Sequence, residues 1–324
     1  DGYTDGKVSR GMAGGYVGYN HGGRISGINR ECAVIRLRSV YGGEFAGGFT
    51  GLMENAAVAD AGNLELLFGL VSADNILGLL QAVYPTETNT AVYGPLRNVD
   101  LDTWNAWATA VGANGVYGYQ FPAEPIESEE ELAEYIKNYA YGYNVKAGRS
   151  EAGSQTYQAG VAGGYAGRIS GGVVTEAHAW DGKDITAYKS AGGFAGEMLT
   201  EGAAEIGKVE IAGLPITGAL SALQTFVPVI RNSDVTGYQS GMSIKAVGIP
   251  KGEDGKIEKA GYAGGFVGHM VGGQIWGNWT ESGNTEENNG ISTYSVTDAK
   301  PDPDNDRCFV ANLHRVDGTQ AVGG

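Results

Sequence analysis

Cysteine is scarce in this sequence, with two residues among 324, and proline is limited to nine. Two cysteines close at most one bridge, which excludes a disulfide-stapled miniature scaffold. So little proline excludes a collagen triple helix or a polyproline stalk, in spite of 55 glycines. Basic residues are outnumbered 37 to 22, leaving a net charge of −15 and a pI near 4.7. That balance disfavours nucleic-acid binding by counterion release and leaves no basic patch for a membrane surface. Long apolar runs are missing too: the most hydrophobic stretch, 64–84, is interrupted by Glu65 and Asp74, so no membrane insertion is expected. No signal peptide or sorting signal is visible. The four histidines, His21, His178, His269 and His314, are dispersed, and neither HExxH nor paired-cysteine spacing occurs. Zinc chemistry is therefore not expected, and His21 and His269 read as polar residues of equivalent glycine loops. A GxSxG elbow is also lacking.

What the sequence has in excess is glycine, and the glycines are ordered. AGGYVG begins at Ala13, AGGFTG at Ala46, AGGYAG at Ala162, AGGFAG at Ala191 and AGGFVG at Ala263, with a truncated AVGG from Ala321. The first five copies are 33, 116, 29 and 72 residues apart, so short and long intervals alternate. A hexapeptide that is half glycine suits neither an ordinary strand nor a helix. Recurrence at repeat spacing points instead to stacked turns of chain. With 42% hydrophobic and 18% charged residues, the chain has enough apolar material for a core and is not expected to be disordered.

Within each copy one aromatic stands between glycines. In adjacent strands about 4.8 Å apart, Tyr16, Phe49, Tyr165, Phe194 and Phe266 would form one column, with glycine leaving room for the rings and for a corner. Mixed use of phenylalanine and tyrosine requires no hydroxyl, which favours an internal stack over an outward sugar-binding strip.

Further motifs fill the intervals. GGRISG from Gly22, GRISGG from Gly167 and GGQIWG from Gly272 follow the hexapeptide, and AVIRLRSV from Ala33 alternates with period two, as a strand does. Three short strands in about 30 residues make one coil of a β-helix. The long intervals carry excursions, about 52–140 and 197–230, in which ILGLLQAVYP and ALSALQTFVP share a Leu-Gln-x-x-x-Pro pattern. Leu64, Leu67, Phe68 and Val71, then Ile76, Leu79, Leu80 and Val83, have helical spacing, with Pro85 and Pro228 as stops. Ser128 with Glu131 predicts a capping box for a helix whose apolar stripe is Leu132, Tyr135, Ile136 and Tyr139, docked on the coils. Trp104 and Trp107 are expected to fix this excursion against a coil.

GYNVKA from Gly142 and GMSIKA from Gly241 are a further pair, and the glycine hairpin from Asp254 has a twin from Asp5. The chain thus reads as one unit, 1–324, starting and stopping in mid-repeat, as a piece of a longer array would. Cys32 and Cys308 occupy equivalent places in different repeats, which predicts two free thiols.

AGG[FY]xG followed by GGxIxG resembles the GLUG-type repeats of bacterial surface proteins, and the Leu-Gln-x-x-x-Pro excursions resemble the long multi-repeat wall proteins of gut Gram-positive bacteria. The resemblance implies an all-β solenoid, a right-handed parallel β-helix with α-helical insertions, secreted or held at the cell wall. It further implies an adhesive or stalk role, with adjoining repeats of the same chain as neighbours. A pure spacer has no need of insertions, so the expected partner is a host glycan or a host protein such as mucin, matrix or immunoglobulin. A passive stalk is the first alternative. Polysaccharide cleavage, by a lyase or glycosidase on the β-helix, is the second, but it needs convergent acids, and the repeated strands mostly lack them.

Two candidate sites stand out. Trp276 and Trp279 in IWGNWTESGN offer a loop-borne aromatic ligand site. Asp302, Asp304 and Asp306 in DPDND alternate in a way that suits calcium, although Arg307 and Leu313 replace the glycine and glutamate of an EF-hand loop. No other cofactor is expected.

Overall fold

The computed structural model describes residues 3–4, 7–8, 11–56, 85–95, 99–111, 122, 124–138, 142–148, 160–200, 227–238, 241–251, 256–259, 261–277, 279–281, 284–286, 292–293 and 308–323. Most of these lie in three parallel sheets. Sheet I orders Met12–Gly14, Phe45–Gly47, Val161–Gly163, Ser190–Gly192, Tyr262–Gly264 and Ala321–Gly323. Sheet II orders Val17–His21, Thr50–Glu54, Ala166–Ile169, Ala195–Leu199 and Val267–Val271. Sheet III has 13 strands gathered about the 15-residue strand Val173–Ala187. The chain runs through sheets I, II and III in turn and then re-enters sheet I, adding one layer to each. The shortest circuit, from Val161 to Ser190, takes 29 residues.

Each hexapeptide is a corner between sheets I and II rather than one straight strand. In the third copy, Val161–Gly163 closes sheet I, Gly164 and Tyr165 turn, and Ala166–Ile169 opens sheet II. Close backbone approach accounts for the glycines. A Cβ on Gly163 would lie 1.9 Å from the carbonyl oxygen of Ala166, and one on Gly164 would lie 2.1 Å from that of Gly193 in the next layer. Gly47, Gly48, Gly192 and Gly193 meet equivalent oxygens at 1.9–2.1 Å.

The turn points the aromatic inward. Tyr16, Phe49, Tyr165, Phe194 and Phe266 stack with centroids 4.7, 5.2, 4.7 and 4.9 Å apart and planes within 9° of parallel. Backbone bonds run beside the rings, Phe49 N–H donating to the Tyr165 carbonyl and Tyr165 N–H to that of Phe194. Four rings are buried, and only Tyr16, at the first layer, is 51% exposed. Their neighbours in the core include Val92, Ala177, Ala179, Ile185, Ile230, Val235 and Ile244 from sheet III.

Sheet III bends twice, and its ladders skip a residue or shift register there. Asn89, Glu176 and Asn232 are left-handed at the first bend, and Arg36, Asp181 and Asn312 at the second. Asparagine and aspartate tolerate that conformation best among residues other than glycine. The bend corrects one expectation. AVIRLRSV is not a single alternating strand, because Arg36 breaks it into Cys32–Val34 and Ser39–Gly42. As a result Ile35 is 67% exposed while Val34 and Leu37 pack on the core. A second correction concerns the RIS motif. Arg24–Ser26 and Gln274–Trp276 do occupy one column of sheet III, through Thr86–Thr88, Val173–Thr175 and Val229–Arg231. Arg168–Ser170 instead follows sheet II, beside Leu52 and Glu197. His21 and His269 are likewise not equivalent: His269 aligns with Glu197, Arg168, Leu52 and Tyr19, two residues before His21.

The expected equivalence of the cysteines holds. Cys32 pairs with Thr90, which pairs with Ala177, and Cys308 directly precedes Phe309 in the same alignment through Asp234 and His178. Both thiols are free. Burial pushes the Cys308 thiol up to about 11.

The first excursion is divided. Strand Thr86–Tyr93 lies inside the expected 52–140 span and belongs to sheet III, so one insertion precedes it and another follows. The predicted helical segments at 64–71, 76–83 and 219–224 lie outside the described residues. The second insertion contains helix α1, Leu101–Val111, and helix α2, Glu129–Asn138. Ser128 caps α2, its Oγ accepting from Glu131 N–H at 3.1 Å, while Glu131 reaches back to the N–H of Glu127. Trp104 packs edge-on against Tyr135 in a cluster with Val99, Ile126 and Leu132, so it joins helix to helix. The side chain of Trp107 lies outside the described residues. Tyr238, at the end of a sheet III strand, donates its hydroxyl to the Ile136 carbonyl of α2. The twin hairpins are both antiparallel ribbons, Tyr3–Thr4 with Lys7–Val8 and Ile249–Lys251 with Lys256–Lys259. Among the described residues no helix is long and apolar enough to cross a membrane.

Candidate functional site

The middle segment of sheet III alternates inward and outward. Ala177 and Ala179 are buried in the core, while His178 and Trp180 between them are half-buried on the other face. Trp180 is in register with Tyr93 of the preceding layer, and His178 with Asp234 of the following one. Three rings therefore meet. Tyr93 and Trp180 have centroids 5.5 Å apart at 57°, and His178 and Trp180 4.9 Å apart at 37°.

Two carboxylates hold these rings. Asp234, almost fully buried, accepts the Trp180 indole N–H on Oδ1 at 2.5 Å and faces His178 Nδ1 with Oδ2 at 3.1 Å. Glu31, from the first layer, accepts the Tyr93 hydroxyl. Burial pulls the His178 pKa down, but the hydrogen bond to Asp234 and the charges of Asp234, Glu31 and Glu176 outweigh it, so the net shift is upward. The result is a set of rings whose orientation is fixed by the two carboxylates. No family model, curated protein or solved structure matches this chain. The reading of the site therefore rests on its geometry.

Two other polar clusters are complete in themselves. On the outer side of the hexapeptide corner, Glu197 receives Arg168 from the layer before it, Lys189 from its own layer and His269 from the layer after. Arg168 also lies over the Phe45 ring at 4.4 Å. Burial alone would raise the Glu197 pKa, yet the Lys189, Arg168 and His269 contacts lower it. A carboxylate engaged three times is a clamp between layers rather than a general base.

Inside the core, Glu87 accepts hydrogen bonds from Asn20 at 2.9 Å, Thr50 at 2.6 Å and Tyr165 at 2.8 Å. Burial drives its pKa up, against the lowering effect of those three donors. The Tyr165 hydroxyl also meets Thr90 Oγ1 at 2.7 Å. One ring of the column thus does use its hydroxyl, contrary to the expectation from mixed phenylalanine and tyrosine.

Trp276 lies on sheet III, half-buried, its indole N–H donating to Gln274 Oε1 at 3.0 Å. Trp279 opens the antiparallel ribbon Trp279–Glu281 with Asn284–Glu286, and its side chain lies outside the described residues. Asp302, Asp304 and Asp306 also lie outside them. Among the described residues no cluster of histidine, cysteine, aspartate and glutamate could hold a metal.

The ring set was not singled out in the sequence. Its members come from residues 31, 93, 178, 180 and 234, which no local motif links. The available signal was the alternation in AHAW, where two small residues face inward and two rings outward.

Proposed function

We propose that this chain is a right-handed parallel β-helix with helical and hairpin insertions, and that it serves as a non-enzymatic saccharide-binding module of a bacterial surface protein. On this reading it is exported, adhesin-like, and directed at a host glycan in preference to a host protein. The layered register of the three sheets and the likeness of the glycine motifs to GLUG-type repeats support the first part. The observation that carries the second is the outward ring set Tyr93, Trp180 and His178 anchored by Glu31 and Asp234. Sugar rings bind through C–H faces laid on aromatics and through hydroxyls given to nearby carboxylates, and both groups are present there.

The test is an array of glycans and host proteins probed with the whole chain and with Trp180→Ala. Saturable glycan binding that falls at least tenfold in the variant supports the reading. Binding that is unchanged in the variant, or cleavage of a polysaccharide into new ends, overturns it.

A further inference from the structure

We infer that the outward row Ser26, Thr88, Thr175, Arg231 and Trp276 on the first segment of sheet III is a second saccharide site, one that takes a sugar bearing a carboxylate. It lies across the first bend from the ring set and does not depend on it.

Register places these residues in successive layers of one column. The residues just before them, Ile25, Val174, Ile230 and Ile275 among others, turn to the core, so the row faces outward. Trp276 stands in the last layer of the column, half-buried, its indole N–H held by Gln274 Oε1 on the same strand at 3.0 Å. That bond fixes the ring and commits its donor. What the indole offers is its face, which suits the C–H side of a pyranose. Arg231, exposed, is its neighbour in the preceding layer, about 4.8 Å along the column. Among the described residues its guanidinium has no ion pair or hydrogen bond, and the Trp276 ring has no aromatic or cationic contact. An uncommitted guanidinium fork matches a carboxylate through two parallel N–H···O bonds. Thr175, one layer further, adds a hydroxyl, and the layers from Trp276 to Thr175 span about 10 Å, room for a pair of sugar units.

Charge decides the sign of the ligand. The chain as a whole carries −15, yet neither this row nor the outward row two residues before it, from Arg24 to Gln274, contains an acid. The acid that follows Thr175, Glu176, belongs to the left-handed first bend and contributes to the field at His178. Asp234, beyond the same bend, is taken up by Trp180 and His178. A sugar amine would meet Arg231 as a like charge, and a neutral sugar would leave it unused.

A matched pair of ligands isolates the carboxylate. The α-1,4-linked trimer of galacturonate and its methyl ester share a backbone and differ in that charge. Calorimetry at neutral pH with the whole chain should give at least tenfold tighter binding of the acid form, in the wild type and in Trp180→Ala alike. Arg231→Gln should bring the two forms within twofold of each other, and Trp276→Ala should weaken the acid form at least fivefold. Arg315→Gln, which removes the same charge from an exposed arginine of the last layer, should leave the preference intact. A preference that survives Arg231→Gln, or falls as far in Arg315→Gln, overturns the assignment, because the attraction is then not local. A preference lost in Trp180→Ala moves the carboxylate to the ring set and overturns it too. Tighter binding of oligoglutamate than of the acid trimer overturns the saccharide class. Binding of neither trimer overturns this site, while the ring set keeps its own test.

Discussion

Glu87 and Glu197 are both buried glutamates, and the protein treats them in opposite ways. Glu197 has Arg168, Lys189 and the His269 ring around it and its pKa falls, while Glu87 has only neutral donors and its pKa rises. The signs of their pH dependence follow from linkage. A raised carboxyl favours the folded state fully below its ordinary value, about 4.3, and that contribution is lost as pH climbs through the raised value. Stability of the wild type relative to Glu87→Gln should therefore decline as pH rises above about 4.3, as measured by urea denaturation across the range. For Glu197 the contribution is present above the ordinary value and is lost as pH falls through the lowered one, so wild type should lose ground to Glu197→Gln on acidification. Flat difference profiles would refute both assignments. Neither acid could be sorted from the sequence, because TETNTAV and AGEML say nothing of what the adjoining layers bring. The glycines were legible to a greater degree. Their recurrence announced close backbone contact, and the oxygens 1.9–2.1 Å from a would-be Cβ on Gly163 and Gly164 identify the contact.

The aromatic column is the element on which the layers depend. Phe194 is sandwiched between Tyr165 and Phe266, whereas Tyr16 has, among the described residues, a ring on one side only and is half exposed. Phe194→Ala should cost about 3–5 kcal/mol, the usual range for a buried aromatic truncated in place. Tyr16→Ala should cost about 1 kcal/mol, since it gives up only part of that burial. Chemical denaturation of the two variants checks the ranking, and comparable losses would mean that the column is not a cumulative stack. This element was foreseen from spacing alone, since one aromatic at a fixed place in five copies leaves few other arrangements. The corner was less clear. The glycines left room for a corner without placing it, and the chain turns at Gly164 and Tyr165, dividing the hexapeptide between two sheets. AVIRLRSV failed as one strand for a related reason, because Arg36 takes a left-handed conformation that propensity does not foretell for arginine.

Across the whole molecule, contacts run mainly between successive layers, and the middle layers have neighbours on both sides. Exposed large apolar residues are found at the two ends: Tyr16, Tyr19, Ile28, Ile35 and Tyr41 in the first layer, and Ile257, Met270, Val271 and Val322 around the last two. Stability in such a stack is close to a sum of layer and nearest-neighbour contributions. Amide exchange should therefore be slowest in Ala166–Ile169 and Ala177–Ala179 and should quicken toward Val17–His21 and Leu313–Gly318. Mass-resolved exchange would detect the gradient, and uniform protection from end to end would show one all-or-none unit instead.

The sequence by itself determined the repeat, the inward aromatic column, the two free thiols and the capped helix at Glu129. Each of these depends on residue type at a fixed local spacing, which is visible in one dimension. Tertiary structure alone decided which outward residues become neighbours. Glu31, Tyr93, His178, Trp180 and Asp234 meet because four layers bring them into adjacent register, and the insertions between those layers vary in length. Sequence distance therefore carries no measure of their separation in space.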